Sequence, residues 1–192
     1  MPPFSSPGEF AADSSEARTC QPDAELIRES VSGDSRAFDQ LVRNHAQRIF
    51  SYVFQMTRQS QDAEDICQQT FIKAHQHLHR ADPERPLIAW LLTIARRTAL
   101  NHFRGTRHWT ELSPETPSSE DTPAHQVEKA ERVETLWDRA RRILPARDYE
   151  VLWLRIAEEL SVEETAEATG LTRSNVKVIV FRARQQLMKG EA

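Results

Sequence analysis

The chain has 192 residues, enough for one large domain or two small ones, and carries 25 Lys and Arg against 29 Asp and Glu for a formal net charge of −4. That balance excludes a protein that coats nucleic acid indiscriminately, so any DNA contact has to come from local patches. Two cysteines, Cys20 and Cys67, offer no disulfide framework, and no stretch has the apolar length of a membrane span or the pattern of a secretion signal. These features point to a soluble cytoplasmic protein without membrane insertion. Five glycines and the lack of long β-branched alternation predict an all-α fold.

Residues 1–22 are rich in Pro, Ser and Ala without periodicity and read as a disordered tail. Asp23 can cap a helix holding Leu26, Ile27 and Val31, which breaks at Ser32-Gly33-Asp34. A longer helix follows, with Phe38, Leu41, Val42, His45, Ile49, Val53 and Met56 at helical spacing. His45 on that apolar face reads as a satisfied core or boundary histidine rather than a ligand. Asp62 opens the next helix, turning Ile66, Cys67, Thr70, Phe71, Ala74 and Leu78 inward. Glu64, Asp65, Gln68, Gln69 and Lys73 then lie largely outside, as a solvated face or a polar docking surface; the helix alone does not decide. Of His75, His77 and His79, only the first and last share a helical face, and no Cys pair or carboxylate stands at ligand spacing, so no metal site is expected.

Arg80 to Pro86 is a loop by its prolines and charges. Helix resumes with Ile88, Trp90, Leu91, Ile94, Ala95 and Leu100. Its other side holds Arg97, Asn101 and Arg104, with Arg96 and Arg107 close by, and no acid falls between Pro86 and Thr110. Such a face can track phosphates, and Asn101 can read a base edge; a plain solvated face is the competing reading. Thr110 to Ala124 turns acidic and rich in Pro and Ser, an extended linker that splits the chain into two helical modules. Beyond it one helix ends at Pro145 and another runs through Tyr149, Val151, Leu152, Leu154 and Ile156.

The last segment is the best defined. Ser161 with Glu164 forms a capping box, Gly170 stops that helix, and Thr172 caps a second one with Val176, Val180, Ala183 and Leu187 on its apolar face. This is the sequence form of a helix-turn-helix. Ala168 to Gly190 carries Arg173, Lys177, Arg182, Arg184 and Lys189 and no acidic residue, the layout a helix needs to enter a major groove.

Several stretches resemble, in order, the conserved regions of bacterial RNA polymerase sigma factors. Asp62-Ala-Glu-Asp-Ile-Cys-Gln-Gln-Thr-Phe71 and Trp90-Leu-Leu-Thr-Ile-Ala95 resemble the second region, and Gly33-Asp34 with Ala37-Phe38 its first helices. Leu144-Pro145, Leu160 to Glu164, Val176-Lys177 and Phe181 to Arg184 resemble the fourth. Without the extra domains of housekeeping members, the chain is similar to the extracytoplasmic-function (ECF) group.

The resemblance implies two small helical domains joined by a flexible acidic linker. These are a region 2-like domain over 23–107, a linker over 108–125, and a four-helix region 4-like domain over 126–189 that carries the helix-turn-helix. It implies docking on the β′ clamp helices through Asp62, Glu64, Asp65, Gln68, Gln69 and Lys73, with the β flap as a second polymerase contact. Minus-ten recognition and melting, with a base flipped from the non-template strand, would fall to Arg80, Arg85, Trp90, Arg96, Arg97, Asn101, Arg104 and Arg107. Minus-thirty-five reading would fall to Arg173, Ser174, Asn175, Lys177, Arg182 and Arg184. It further implies an anti-sigma factor as a partner, no cofactor and no catalytic residue.

The chain departs from the family pattern in places. Val178-Ile179 stands where ECF members usually carry Ser-Arg, which predicts the loss of one DNA contact. Arg97 and Asn101 stand where Asn and Asp are common, and His79 where an aromatic residue is common. Two other readings compete: a helix-turn-helix regulator acting without polymerase, and a sigma mimic that titrates an anti-sigma factor. An enzyme is disfavoured, since no nucleophile–base pair, metal set or Gly-rich phosphate loop occurs.

Overall fold

The computed structural model describes residues 22–112 and 136–189, with side chains described to Arg104 in the first of these segments. Among the described residues the fold is all-helical, in the order α1 (Asp23–Val31), α2 (Ser35–Thr57), α3 (Ser60–His77), a 3-10 turn (Leu78–Arg80), α4 (Leu87–Leu112), α5 (Leu136–Ile143), α6 (Ala146–Ile156), α7 (Val162–Thr169) and α8 (Arg173–Lys189). The expected tail, most of the expected linker and residues 126–135 of the second domain lie outside the described residues. Helix α4 runs to Leu112, past the expected boundary at 107, because nothing before Ser113 and Pro114 breaks it.

Local chemistry sets the helix ends. Gly33 adopts φ 105° between α1 and α2, and the Asp34 carboxylate caps α2 by accepting from the Arg36 N–H at 2.8 Å. Two details differ from the sequence expectation for α1. Asp23 is its first helical residue rather than its cap, and its carboxylate instead meets His45 Nε2 at 2.8 Å. Val31 is exposed, since Leu26 and Ile27 already fill the seat of this short helix against α2. His45 is buried as expected but only half satisfied: Asp23 meets Nε2, while the buried Nδ1 has no hydrogen-bond partner among the described residues.

Helices α1 to α4 enclose one core in which Ile49, Val53, Ile66, Ala74, Leu92, Ala95 and Ala99 are wholly buried. The small residues Ala63, Ala74, Ala95 and Ala99 let the helices approach closely, so a truncation such as Ile49→Ala would cost about 2–5 kcal/mol. Cross-ties fix α3 against α4: Lys73 donates to Thr98 Oγ1 at 3.0 Å, and His102 lies 3.4 Å from Asp62.

The second domain has two small clusters of its own, one with Ala140, Leu144, Tyr149, Leu152 and Ala183, the other with Val151, Ala166, Val176 and Ile179. Part of its remaining apolar surface is buried against the first domain: Leu154, Leu160 and Ala168 join that domain's core, with Trp153 packed beside them. Helix α7 lies on α4. The expected capping box is present, with Ser161 and Glu164 exchanging bonds at 2.7 and 3.1 Å, and Gly170 takes the left-handed conformation at φ 72°. Thr172 caps α8 through the Asn175 N–H at 3.2 Å. No described helix is long and apolar enough to cross a membrane.

Candidate nucleic-acid interface

Helical spacing divides the cations of α4 between two faces, and the fold treats these differently. Arg97, Asn101 and Arg104 are exposed on one side. Arg96 points the other way, and its guanidinium donates from Nε to Glu150 Oε1 at 2.8 Å. Glu150 belongs to α6 of the second domain. The same carboxylate accepts from the Tyr52 hydroxyl at 2.7 Å. Burial pushes the Tyr52 hydroxyl well above its usual range, reinforced by the Glu150 charge. For Arg96, burial works against the charged form, but the bond and charge of Glu150 outweigh it and raise its pKa.

This pattern repeats across the contact. Arg48 donates to the Glu158 carboxylate at 3.0 Å and to the Glu158 carbonyl at 3.0 Å, while the Trp153 indole N–H donates to the same carboxylate at 3.2 Å. Glu158 is only 5% exposed, and the left-handed Glu159 (φ 56°) bends the chain just beyond it. Arg85, in the loop before α4, pairs with Glu167 of α7, a bond that raises the arginine pKa. Arg141 donates to the Gln55 carbonyl at 2.7 Å and stacks over Tyr149 at 4.3 Å.

Between the loop and α4 lies a cavity of about 280 Å³, lined on the first domain by Arg80, Asp82, Arg85, Trp90, Thr93 and Arg97. Glu164 and Glu167 of α7 form its remaining wall. Of the residues that the sequence assigns to the minus-ten surface, Arg80, Arg85, Trp90 and Arg97 line this one concavity, Asn101 and Arg104 do not, and carboxylates of the second domain face it. Arg96 is not part of that group, and the Arg107 side chain is outside the described residues.

On α3, Asp65, Gln68 and Gln69 are exposed as expected, whereas Asp62 and Glu64 are half-buried. Lys73 is occupied with Thr98. Ile72 is 44% exposed beside this polar stripe. Periodicity gave no reason to single it out; its exposure does.

On α8, Ser174, Asn175, Lys177 and Arg184 are exposed, and Arg173 is in an exposed pair with Glu163 at 3.5 Å. Arg182 instead reaches back to α6, donating from Nε to the Asp148 carboxylate at 3.0 Å, where Asp148 is buried. Ile179 is buried in the domain's core, and Val178 is exposed beside Phe181.

Known proteins share this plan. The pattern Sigma-70 region 2 matches residues 41–109, and Sigma-70, region 4 matches residues 136–187. RNA polymerase sigma factor YlaC of Bacillus subtilis is 33% identical over 160 residues, covering 80% of this chain and 91% of that one. The chain belongs to the sigma factors. Its place in the ECF group is supported by the ECF RNA polymerase sigma factor SigD of Mycobacterium tuberculosis, 30% identical over 84% of this chain and 80% of that protein. A solved structure of CnrH in complex with the cytosolic domain of CnrY superposes with a TM-score of 0.64 at 26% identity, covering 88% of this chain and 96% of CnrH. As a sigma factor, the chain works with core RNA polymerase at promoter DNA.

Proposed function

We propose that the described arrangement is the closed form of a promoter-specificity factor, in which the second domain covers part of the surface that the first uses on DNA. The observation that carries this reading is the set of pairs Arg96–Glu150, Arg48–Glu158 and Arg85–Glu167, each joining a cation of the first domain to a carboxylate of the second. Carboxylates facing arginines in this way occupy the role that DNA phosphates take. Opening releases Arg85 to join Arg80, Trp90, Arg97, Asn101, Arg104 and Arg107 on the minus-ten element, and frees Arg96 on the other face of α4 for the strand beside it. There the cavity offers cations for the strand and the Trp90 edge for an unstacked base.

The stripe of Asp65, Gln68 and Gln69 docks the first domain on the β′ clamp helices. Ile72 adds an exposed apolar residue at the end of that stripe, suited to a protein partner rather than to DNA. Asp62 and Lys73 hold α3 against α4 through His102 and Thr98, so their part in docking is to position the stripe. Helix α8 reads the minus-thirty-five duplex through Arg173, Ser174, Asn175, Lys177 and Arg184, with Arg182 holding the helix in place, and the second domain meets the β flap. The domain limits are 23–112 and 126–189. The chain acts in the cytoplasm, the polymerase supplies the chemistry, and this chain contributes neither cofactor nor catalytic group.

CnrH is seen with the cytosolic domain of another protein, CnrY. That supports a protein regulator of the anti-sigma kind for this chain as well, one that holds the domains closed. Run-off transcription with core polymerase and a promoter library tests the function. Initiation from a discrete promoter set is expected. Promoter-specific binding by the free chain, with no stimulation of polymerase, would mean a conventional regulator.

A further inference from the structure

We propose that Val178 and Phe181 read thymine methyl groups in the minus-thirty-five duplex. This rests on the reading that α8 enters the major groove and assigns it two further specificity-determining residues. Val178 is 59% exposed and Phe181 64%, in a helix whose Val176, Ile179 and Ala183 are buried, whose Val180 and Leu187 are half-buried, and whose Met188 is exposed only near its C-terminal end. Three residues apart, they stand about 60° apart around the helix and share one face. Ser174, Val178 and Phe181 follow the spacing i, i+4, i+7, and so do Lys177, Phe181 and Arg184. The apolar pair therefore sits inside the polar and cationic row that faces the DNA rather than on a separate side of the helix.

Two observations decide the occupant. From Ala168 to Gly190 there is no acidic residue, so α8 itself contributes only positive charge around the pair, with Lys177 and Arg184 exposed and Arg173 paired to Glu163, and this complements a polyanion. On the base edges of the major groove the apolar group is the C5 methyl of thymine, which Phe and aliphatic side chains contact. Meanwhile Arg182, from the same stretch, is drawn back to Asp148, which reduces the hydrogen-bonding capacity of α8 and leaves more of the readout to apolar contact. The replacement at Val178 thus changes the chemistry of a contact instead of deleting it. Ile179 is a core residue.

The test uses the full chain bound to core polymerase and a promoter duplex selected from a library randomised at the minus-thirty-five element. Each thymine of that element is replaced in turn by deoxyuridine, which removes only the methyl group. Binding is expected to weaken about fourfold at one or two positions, the value for withdrawing one methyl-sized group from an apolar contact. Val178→Ala and Phe181→Ala should bind the thymine and uracil duplexes equally while keeping their association with core polymerase. Indifference of the wild-type complex to uracil at every position overturns the proposal. So do variants that lose core polymerase yet keep the thymine preference, since the pair would then belong to a protein contact. If randomising the whole element changes nothing, the groove reading of α8 fails first; specific binding without a methyl effect refutes this inference alone.

Discussion

The Glu150 carboxylate lies 2.8 Å from Arg96 Nε and is shared with the Tyr52 hydroxyl at 2.7 Å, so one acid of the second domain holds two groups of the first. All three side chains are largely withdrawn from water. The pair is therefore screened far less than a surface ion pair. Replacing Glu150 by Gln keeps the shape and removes the charge. A double-mutant cycle of Glu150→Gln with Tyr52→Phe should give a coupling of about 1.5–3 kcal/mol in domain closure, the range for hydrogen bonds to a charged group. Small-angle scattering of the free chain should show Glu150→Gln more extended than wild type; an unchanged profile would count against a latch at this position.

Arg97 and Arg104 are exposed on the α4 face that Glu150 does not reach. Charge reversal of both should reduce open-complex formation at least about tenfold and lower the salt dependence of promoter binding by about one for each lost phosphate contact. Association with core polymerase, followed by gel filtration or anisotropy, should change little. Equal loss of both activities would remove the assignment of this face to DNA.

Arg182 and Arg184 stand two residues apart with opposite duties. Arg182 meets Asp148, which is 3% exposed, while Arg184 is exposed. Arg182→Ala leaves the buried Asp148 short of its partner and should cost about 1–3 kcal/mol in urea unfolding. Arg184→Ala should leave stability within about 0.5 kcal/mol and weaken DNA binding instead. The reverse ordering would mean that Arg182 is a DNA contact first.

Much of this was legible in the chain because local rules sufficed. Ser161, Glu164, Gly170 and Thr172 specify both helices of the helix-turn-helix by capping alone, and the inward residues of α2 and α3 follow from spacing. The contact between domains was not legible. Glu150 and Glu167 look like ordinary solvated charges in their own helices, Glu158 like one in the bend after α6, and Arg96 like one more cation of a basic face. Only the packing of Leu154, Leu160 and Ala168 onto the first domain brings partners 54 to 110 residues apart within hydrogen-bond reach. The exposure of Ile72, Val178 and Phe181 was not legible for a different reason. Spacing shows which residues share a face, and whether that face is covered is a tertiary fact.

Burial pushes the Cys67 thiol up to about 12 from a usual value of 9.0. The neutral thiol is the form the fold accepts, so its contribution to stability is fully present below pH 9.0 and is lost as pH rises toward about 12. Tyr52 acts in the same direction, starting from 10.0. Urea midpoints measured from pH 8 to 11 should therefore fall above pH 9, and fall less in Cys67→Ala. In a Cys20→Ser background the remaining thiol should resist alkylation at pH 7.5 unless the chain is unfolded.

The most direct test measures the distance between the two domains before and after core polymerase is added. Spin labels at Asp39→Cys in α2 and Met188→Cys in α8, both exposed sites, serve in the Cys20→Ser background. A single short distance is expected for the free chain, replaced by a longer one in the holoenzyme, with Glu150→Gln shifting the free chain part-way. An unchanged short distance in a complex that initiates transcription would contradict the account.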